Sequence, residues 1–529
     1  MTVLYAFHST GARRRGLFIG AAVVLASCAP PTPRIDGVPG APASPSTPWV
    51  VPDAAKTPPP SPIPPVAAAI DSALKADSAM ITQTTSLSML DVVDLALRNN
   101  PATRESWATA QAAADQYGSA RGSLYPTING NVNLQRTSST VSGGGGGSTG
   151  TAGTGAGAGG TDSTTRGGTG SVSGGGSDRT LVTPSLSLNY LIFDFGGRSG
   201  TIESAKQRAI ATDLAHNATI SNVVLQVEST LFNYLATRAL RDAQIVAVQE
   251  SQADTAAAEA RLRVGVGTLE EVLQTRTALA QEKLQLATVE GNLVGARANL
   301  TAAMGFPANS RFDIPSITAT DSVARISASV DTLINRAIAL RPELAESRAD
   351  AAALAAEIRV ARSAGYPALT LSSTSSVPRQ LQGAGNSSGR NFSLVLGLQI
   401  PIFNGFSHQY DVRAAQHDYE AGLARVQSAS QQITVQVFTS YAALHTATSR
   451  VAAAVELLTA AQQSNDVALG RYREGVGTIV DVLLARSALA SARAEDIQAR
   501  WEWRTALVQL AHDVGTLDTR GRPNVPLTP

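Results

Sequence analysis

The sequence predicts a mixed α+β membrane protein built by internal duplication. Three observations predict it. The stretches "RLRVGVGTLEEVLQTRTALAQEK" (261–283) and "RYREGVGTIVDVLLARSALASAR" (471–493) write one pattern twice, 210 positions apart. Several segments alternate apolar and polar residues, the period-two signature of strands with one greasy and one wet face. An export signal precedes them all, and no later run is long and apolar enough to span a bilayer as a helix.

The chain begins with a signal peptide over residues 1–27. Arg13, Arg14 and Arg15 supply its positive region, and "LFIGAAVVLAS" its apolar region, too short for a mature spanning helix. The junction Leu25-Ala26-Ser27-Cys28 resembles a bacterial lipobox, which makes Cys28 a candidate lipidation site; ordinary signal cleavage beside a chance Cys is the alternative. Residues 28–85 then read as a lipid-anchored Pro-rich linker with no core of its own. The chain holds 42 basic and 41 acidic residues in 529, so charge offers no argument for a nucleic-acid partner. A single Cys excludes an internal disulfide, and no Cys/His spacing suggests a metal site or cofactor.

The duplication can be aligned residue by residue. Gly265 falls on Gly475 and Phe193 on Phe403, both 210 apart, whereas Pro101 falls on Pro342 and Pro126 on Pro367, both 241 apart. The first repeat (86–310) therefore carries 31 extra residues between Pro126 and Phe193, within a Gly/Ser/Thr tract too poor in apolar residues to pack. A linker (311–328), a second repeat (329–516) and a tail (517–529) follow.

Each repeat reads helix, strand, loop, strand, long helix, tight turn, helix. In the first repeat the strands fall at about 124–135 and 181–195, around a Gly-rich external loop at 136–180, and in the second at about 367–377 and 391–403. Leu124, Ile128, Val132 and Leu134 share one parity, as do Leu186, Leu188, Tyr190 and Ile192, and Phe392, Leu394, Leu396, Leu398, Ile400 and Ile402. The strand around Leu369, Leu371 and Val377 is weaker. Phe193, Phe195, Phe403 and Phe406 sit where an interfacial aromatic girdle would lie. Four strands cannot close a usable barrel and lipid forbids an open edge, so the barrel must be shared between chains.

The helical hairpins span 198–304 and 407–513. No Pro interrupts the stretch from Ser199 to Arg263, and Val272, Leu279, Leu286, Leu293 and Leu300 recur at sevens, which implies coiled-coil packing. The matching stripe Val482, Leu489 and Leu510 is interrupted by Asp496 and Trp503. The repeated GVGT marks the reversals. Gly265, Gly267, Gly475 and Gly477 are expected to adopt the positive φ that ends a helix, while Thr268 and Thr478 cap the returning one. Glu270, Glu271 and Asp481 lie favourably at its N-terminus.

These hairpins, the Tyr-Pro before a strand and the duplicated units together resemble the TolC-like outer membrane efflux protein family over about residues 86–516. The resemblance implies a homotrimer with a twelve-stranded barrel in outer-membrane lipid and a long α-helical coiled-coil barrel in the periplasm. It also implies two partners, a periplasmic adaptor protein and an inner-membrane pump of RND, ABC or MFS type. Gly265, Gly267, Thr268, Gly475, Gly477 and Thr478 then mark the adaptor-docking tips, and Glu270, Glu271, Tyr472 and Asp481 are candidates for a periplasmic gate. For the acids, helix capping is an equal and compatible role. Gly477 and Leu484 stand where the family's best-known member has Arg and Asp, so the constriction is expected to be linked differently.

The implied function is an exit duct for efflux of small molecules such as drugs, or for type I protein secretion. A non-conducting, surface-anchored coiled-coil scaffold or adhesin is the rival from another class. No enzyme is expected: there is no H-E-x-x-H, and "GAGAGG" (155–160) lacks a following helix.

Overall fold

The computed structural model describes residues 34–35, 38–49, 88–139, 177–310, 325–326, 328–382, 389–517 and 527–528. The signal peptide, Cys28, most of the Pro-rich linker and residues 140–176 of the Gly-rich tract lie outside them. The chain divides into two compact units that cut across the repeats: a strand unit (121–199 and 359–411) and a helical unit formed by the rest.

The helical unit contains two matched sets. In the first repeat these are α1 (Met89–Asn99), α2 (Pro101–Gly122), α3 (Gly197–Arg263) and α4 (Leu269–Ala303). In the second they are α5 (Val330–Leu340), α6 (Pro342–Ser363), α7 (Ser407–Arg473) and α8 (Ile479–Asp513). The matched helices have equal lengths of 11, 22, 67 and 35 residues. At 1.5 Å per residue each of the longest spans about 100 Å. The single leading helix expected in each repeat is a pair, because Pro101 and Pro342 force the residue before them into extended backbone. That residue then locks the pair to the returning helix: the Asn100 amide donates to the Ala303 carbonyl (2.9 Å), and the Arg341 guanidinium to the Asp513 carbonyl (3.3 Å).

Two cores hold the unit. In one, α1, α3, α4 and α8 bring together Val92, Leu95, Val227, Leu231, Leu300 and Trp501; in the other, α5, α7 and α8 gather Leu333, Val437, Leu444, Trp503 and Leu510. Trp503 thus fills the heptad stripe it was expected to interrupt. Part of the Pro-rich linker also departs from a spacer without a core. Ile35 and Trp49 are buried against Tyr117 and Ala209. The Asn217 side chain both accepts from the Trp49 N–H (2.6 Å) and donates to its carbonyl (2.7 Å), as a neighbouring strand would.

The strand unit is one antiparallel sheet of β1 (Thr127–Ser139), β2 (Ser177–Phe193), β3 (Ala368–Ser376), β4 (Arg379–Gln382) and β5 (Asn391–Gln399). The order is β1-β2-β3-β5, with β4 also on β2, leaving β1 and β5 as edges. The strands differ from expectation at their ends. β1 and β2 continue into the Gly-rich tract, pairing Arg136 with Thr180 and Ser139 with Ser177. Backbone pairing needs no apolar side chain, so hydropathy ended these strands too early. Pro378 and Pro401 lack an N–H to donate, so the third strand is broken after Ser376 and the last stops at Gln399.

The alternation itself holds. Ile128 pairs with Leu188, Tyr190 with Leu371, and Leu371 with Leu396, so one apolar face runs across all four principal strands. Ile128, Val132, Leu134, Leu394, Leu396 and Leu398 are each more than 60% exposed, so nothing among the described residues covers that face. The opposite face carries Asn129, Asn131, Ser187, Asn189, Ser372 and Thr374. At the strand ends, Phe193 packs edge-on to Phe195 (4.8 Å between centroids), which stacks on Tyr366, and Phe403 meets Phe406. Phe195 and Phe406 take positive φ in the corner that turns strand into helix.

Candidate functional site

Each hairpin tip is built from helix-ending chemistry. α3 closes with the Gly265 N–H on the Leu262 carbonyl (3.0 Å) and the Val266 N–H on the Arg261 carbonyl (3.0 Å), a Schellman arrangement. α7 repeats it with Gly475 on Tyr472 and Val476 on Arg471. Gly265 and Gly475 hold the required positive φ, at 80° and 76°. Gly267 and Gly477 do not, which corrects their expected role. They are needed for close approach: a Cβ on Gly267 would lie 3.0 Å from the Leu262 nitrogen, and one on Gly477 3.2 Å from that of Tyr472.

Thr268 and Thr478 cap the returning helices as expected, accepting from the Glu271 and Asp481 N–H groups, each at 3.2 Å. Asp481 completes a capping box by accepting from the Thr478 N–H (3.1 Å) and hydroxyl, and these bonds hold its carboxyl below the usual range. Glu270 accepts from Gln274 on its own helix. Asp481 and Glu270 are therefore engaged locally.

Tyr472 and Glu271 belong to a different cluster. Tyr472 is 8% exposed, with the Arg261 guanidinium 4.9 Å from its ring centroid. Burial pushes the phenol up; the carboxylates of Glu271 and Asp254 add to this and Arg261 opposes it. The Tyr472 hydroxyl and one Glu271 oxygen are buried without a hydrogen-bond partner among the described residues. Farther along the hairpins, Arg486 of α8 binds Asp254 (2.7 Å) and Glu250 (2.8 Å) of α3, and Arg493 reaches Glu250 (3.3 Å). Sequence reasoning missed these ion pairs, and the duplication held their signal. Glu250 and Asp254 fall on Ala460 and Ser464 of the second repeat, so the charges belong to one repeat alone.

Three buried groups on α3 were also missed. Asp213, His216 and Glu228 are fully buried, and the two acids have no hydrogen-bond partner among the described residues. Desolvation raises both carboxyls to about 8. His216 shares a 2.8 Å hydrogen bond with Ser106.

An exposed lipid-type face on a sheet with open edges, joined in one chain to paired 67-residue helices with capped tips, defines a class: outer-membrane channels that strands and helices build together. The chain belongs to the outer membrane efflux protein family, whose model matches residues 92–306 and 333–516. Protein CyaE of Bordetella pertussis is 25% identical over 444 residues, covering 83% of this chain and 86% of that one. Outer membrane protein TolC of Escherichia coli is 24% identical over 363 residues, covering 65% and 71%. Among solved structures, the outer membrane protein VceC from Vibrio cholerae matches with a TM-score of 0.64 at 18% identity, over 81% of this chain and 96% of that one, a likeness of fold.

Proposed function

We propose that the chain is the outer-membrane exit duct of a tripartite efflux pump, passing small molecules from an inner-membrane pump and a periplasmic adaptor to the exterior. The observation that carries this reading is the apolar face across β1, β2, β3 and β5, exposed on a sheet whose edges are unpaired among the described residues. Lipid would cover the face, and three protomers would pair the edges into one closed barrel. The polar opposite face would line the conduit. Cys28 would add a lipid anchor to the same membrane. The paired tips, with Gly265, Gly267, Thr268, Gly475, Gly477 and Thr478 in matched geometry, offer repeated docking points for the adaptor. Tyr472 and Glu271, buried beside Arg261, are the stronger gate candidates.

Planar bilayers test the reading. Purified protein is expected to insert with stepwise ion currents, and lipid-inserted trimers without current would establish the scaffold instead. Passage of an unfolded polypeptide, rather than small ions alone, would favour type I secretion.

A further inference from the structure

We propose that Arg136, Arg379 and Arg390 form a basic belt on the apolar side of the sheet, at the end away from the helices, and that this belt binds the phosphate groups of a phosphorylated glycolipid in the outer leaflet. The inference rests on the outer-membrane reading above.

The register fixes the face. Arg136 pairs with Thr180 and stands two residues beyond Leu134, on the parity of Ile128 and Val132. Arg379 pairs with Val182, on the parity of Leu186 and Leu188. Pro378 breaks the strand without shifting it: Ser376 faces Ser185, the Val377 N–H donates to the Pro184 carbonyl (3.0 Å), and Arg379 faces Val182. Arg390 precedes Asn391, which faces Ser376, and shares the parity of Phe392, Leu394 and Leu396. All three arginines are exposed, and the apolar band beneath them is exposed as well, Leu134 by 65% and Phe392 by 73%.

The three also share one height. Counted along β2, Arg136 lies at Thr180, Arg379 at Val182, and Arg390, beside Val377, at Pro184. That drift amounts to about 13 Å along the strands for about 14 Å across them. The slope, about 43°, falls within the tilt of about 35–45° that strands of outer-membrane barrels take. The opposite strand ends drift the same way: Thr127 faces Asn189, whereas Gln399 faces Ala368, next to the Leu369 that faces Phe193. Nine residues separate Thr127 from Arg136, and nine separate Arg390 from Gln399. At that tilt nine residues rise about 22 Å, close to the apolar band about 25 Å tall on such barrels. The arginines therefore fall where hydrocarbon gives way to headgroups.

Charge and shape select the occupant. The five strands hold one acid, Asp178, which falls opposite Ser138, beyond Arg136, and the chain from residue 358 to residue 410 holds none. Arg136 is also engaged within the chain. Arg379 and Arg390 thus meet no carboxylate from the strands of their own repeat. An arginine at this depth lays its stem along apolar surface and raises its guanidinium to the headgroups. The guanidinium fork matches two phosphate oxygens at once. A phosphate ester carried on a lipid sits at that height with its chains against the band beneath; a free phosphate ion has nothing to place there.

Full-length protein in dodecyl maltoside, titrated with diphosphoryl lipid A and with the same lipid enzymatically dephosphorylated, tests the proposal by microscale thermophoresis. Wild type is expected to bind the phosphorylated form more tightly. Arg379→Gln with Arg390→Gln is expected to weaken that binding roughly tenfold, two partly exposed charge pairs at about threefold each, and to leave the dephosphorylated form unaffected. Arg379→Lys with Arg390→Lys is expected to recover part of the loss, through charge without the fork. Arg263→Gln with Arg473→Gln removes the same charge from the ends of α3 and α7 and is expected to change neither affinity. Equal affinities of wild type and the Gln pair, or of wild type for the two lipids, overturn the proposal. Displacement of the lipid by excess inorganic phosphate alone also overturns it, by assigning the arginines to a free ion. Bilayer currents are recorded on the same preparations. Currents together with equal affinities sink the belt alone, whereas wild type that never inserts sinks the outer-membrane reading and the belt with it.

Discussion

Replacing Glu228 by Leu is expected to stabilise the helical unit, and the gain is expected to grow with pH. Glu228 lies fully buried on α3 between Val224, Val227, Leu231 and Phe232, and neither carboxyl oxygen has a hydrogen-bond partner among the described residues. Desolvation raises its folded pKa to about 8 from an ordinary 4.5. The folded chain thus holds a proton that the unfolded chain releases between those values. Stability falls as pH rises through that window, by about 1.4 kcal/mol for each pH unit, and the contribution of this one group is fully lost only above the folded value. At pH 7 the accumulated cost is about 3 kcal/mol. Leu removes the titration at similar volume, and the second repeat already carries an apolar residue, Phe438, at the matching position. Urea unfolding in detergent, followed by far-ultraviolet circular dichroism at pH 5, 6, 7 and 8, reads the effect. The variant's advantage is expected to be small at pH 5 and to widen steadily to pH 8. Parallel pH dependences for the two proteins would show that Glu228 is not a buried, proton-bearing acid.

Three further outcomes follow from the geometry. Gly265→Val or Gly475→Val is expected to cost about 1–2 kcal/mol per site through the positive φ, while Gly267→Val displaces the Leu262 backbone; bilayer insertion should persist while transport, scored as drug resistance of cells carrying the full pump, is lost. Excising residues 140–176 and joining Ser139 to Ser177 through Asn-Gly is expected to leave the trimer intact on native gels, because those two serines are already paired across the hairpin. Thr478→Ala is expected to loosen the start of α8 by about 1 kcal/mol. The Asp481 contribution, whose folded pKa is depressed, is present above the ordinary carboxylate range and lost as pH falls through the folded value; hydrogen exchange at the first turn of α8 reads both.

The elements were legible because their signals are periodic. Alternation from Ile128 to Leu134 and from Leu186 to Ile192 requires one face to be apolar whatever pairs with it, and the register puts those residues side by side. The helices from Gly197 and Ser407 needed only the absence of Pro and the glycines that stop them. Strand ends were less legible, since Arg136, Thr137 and Ser138 pair through their backbones and carry no hydropathic mark. The tip glycines show the same limit more sharply. Gly265 and Gly267 look alike in sequence, yet one supplies a left-handed turn and the other only the room for a passing backbone.

The ion pairs of α3 and α8 could not be read from either helix alone, because Glu250, Asp254, Arg486 and Arg493 look like ordinary solvated charges on a polar face. Their meaning appears only when each repeat is used as the control for the other. The two repeats share the same helix lengths, so a residue kept in both answers to the geometry of the helical hairpin. A charge present in one repeat and replaced by Ala or Ser in the other answers to something the repeats do not share, here the binding of α3 to Arg486 and Arg493 of α8. Gly265 with Gly475 and Thr268 with Thr478 fall in the first group, Glu250 with Ala460 and Asp254 with Ser464 in the second. On that ground the first group specifies how a hairpin turns, and the second specifies which hairpins of one chain are held together.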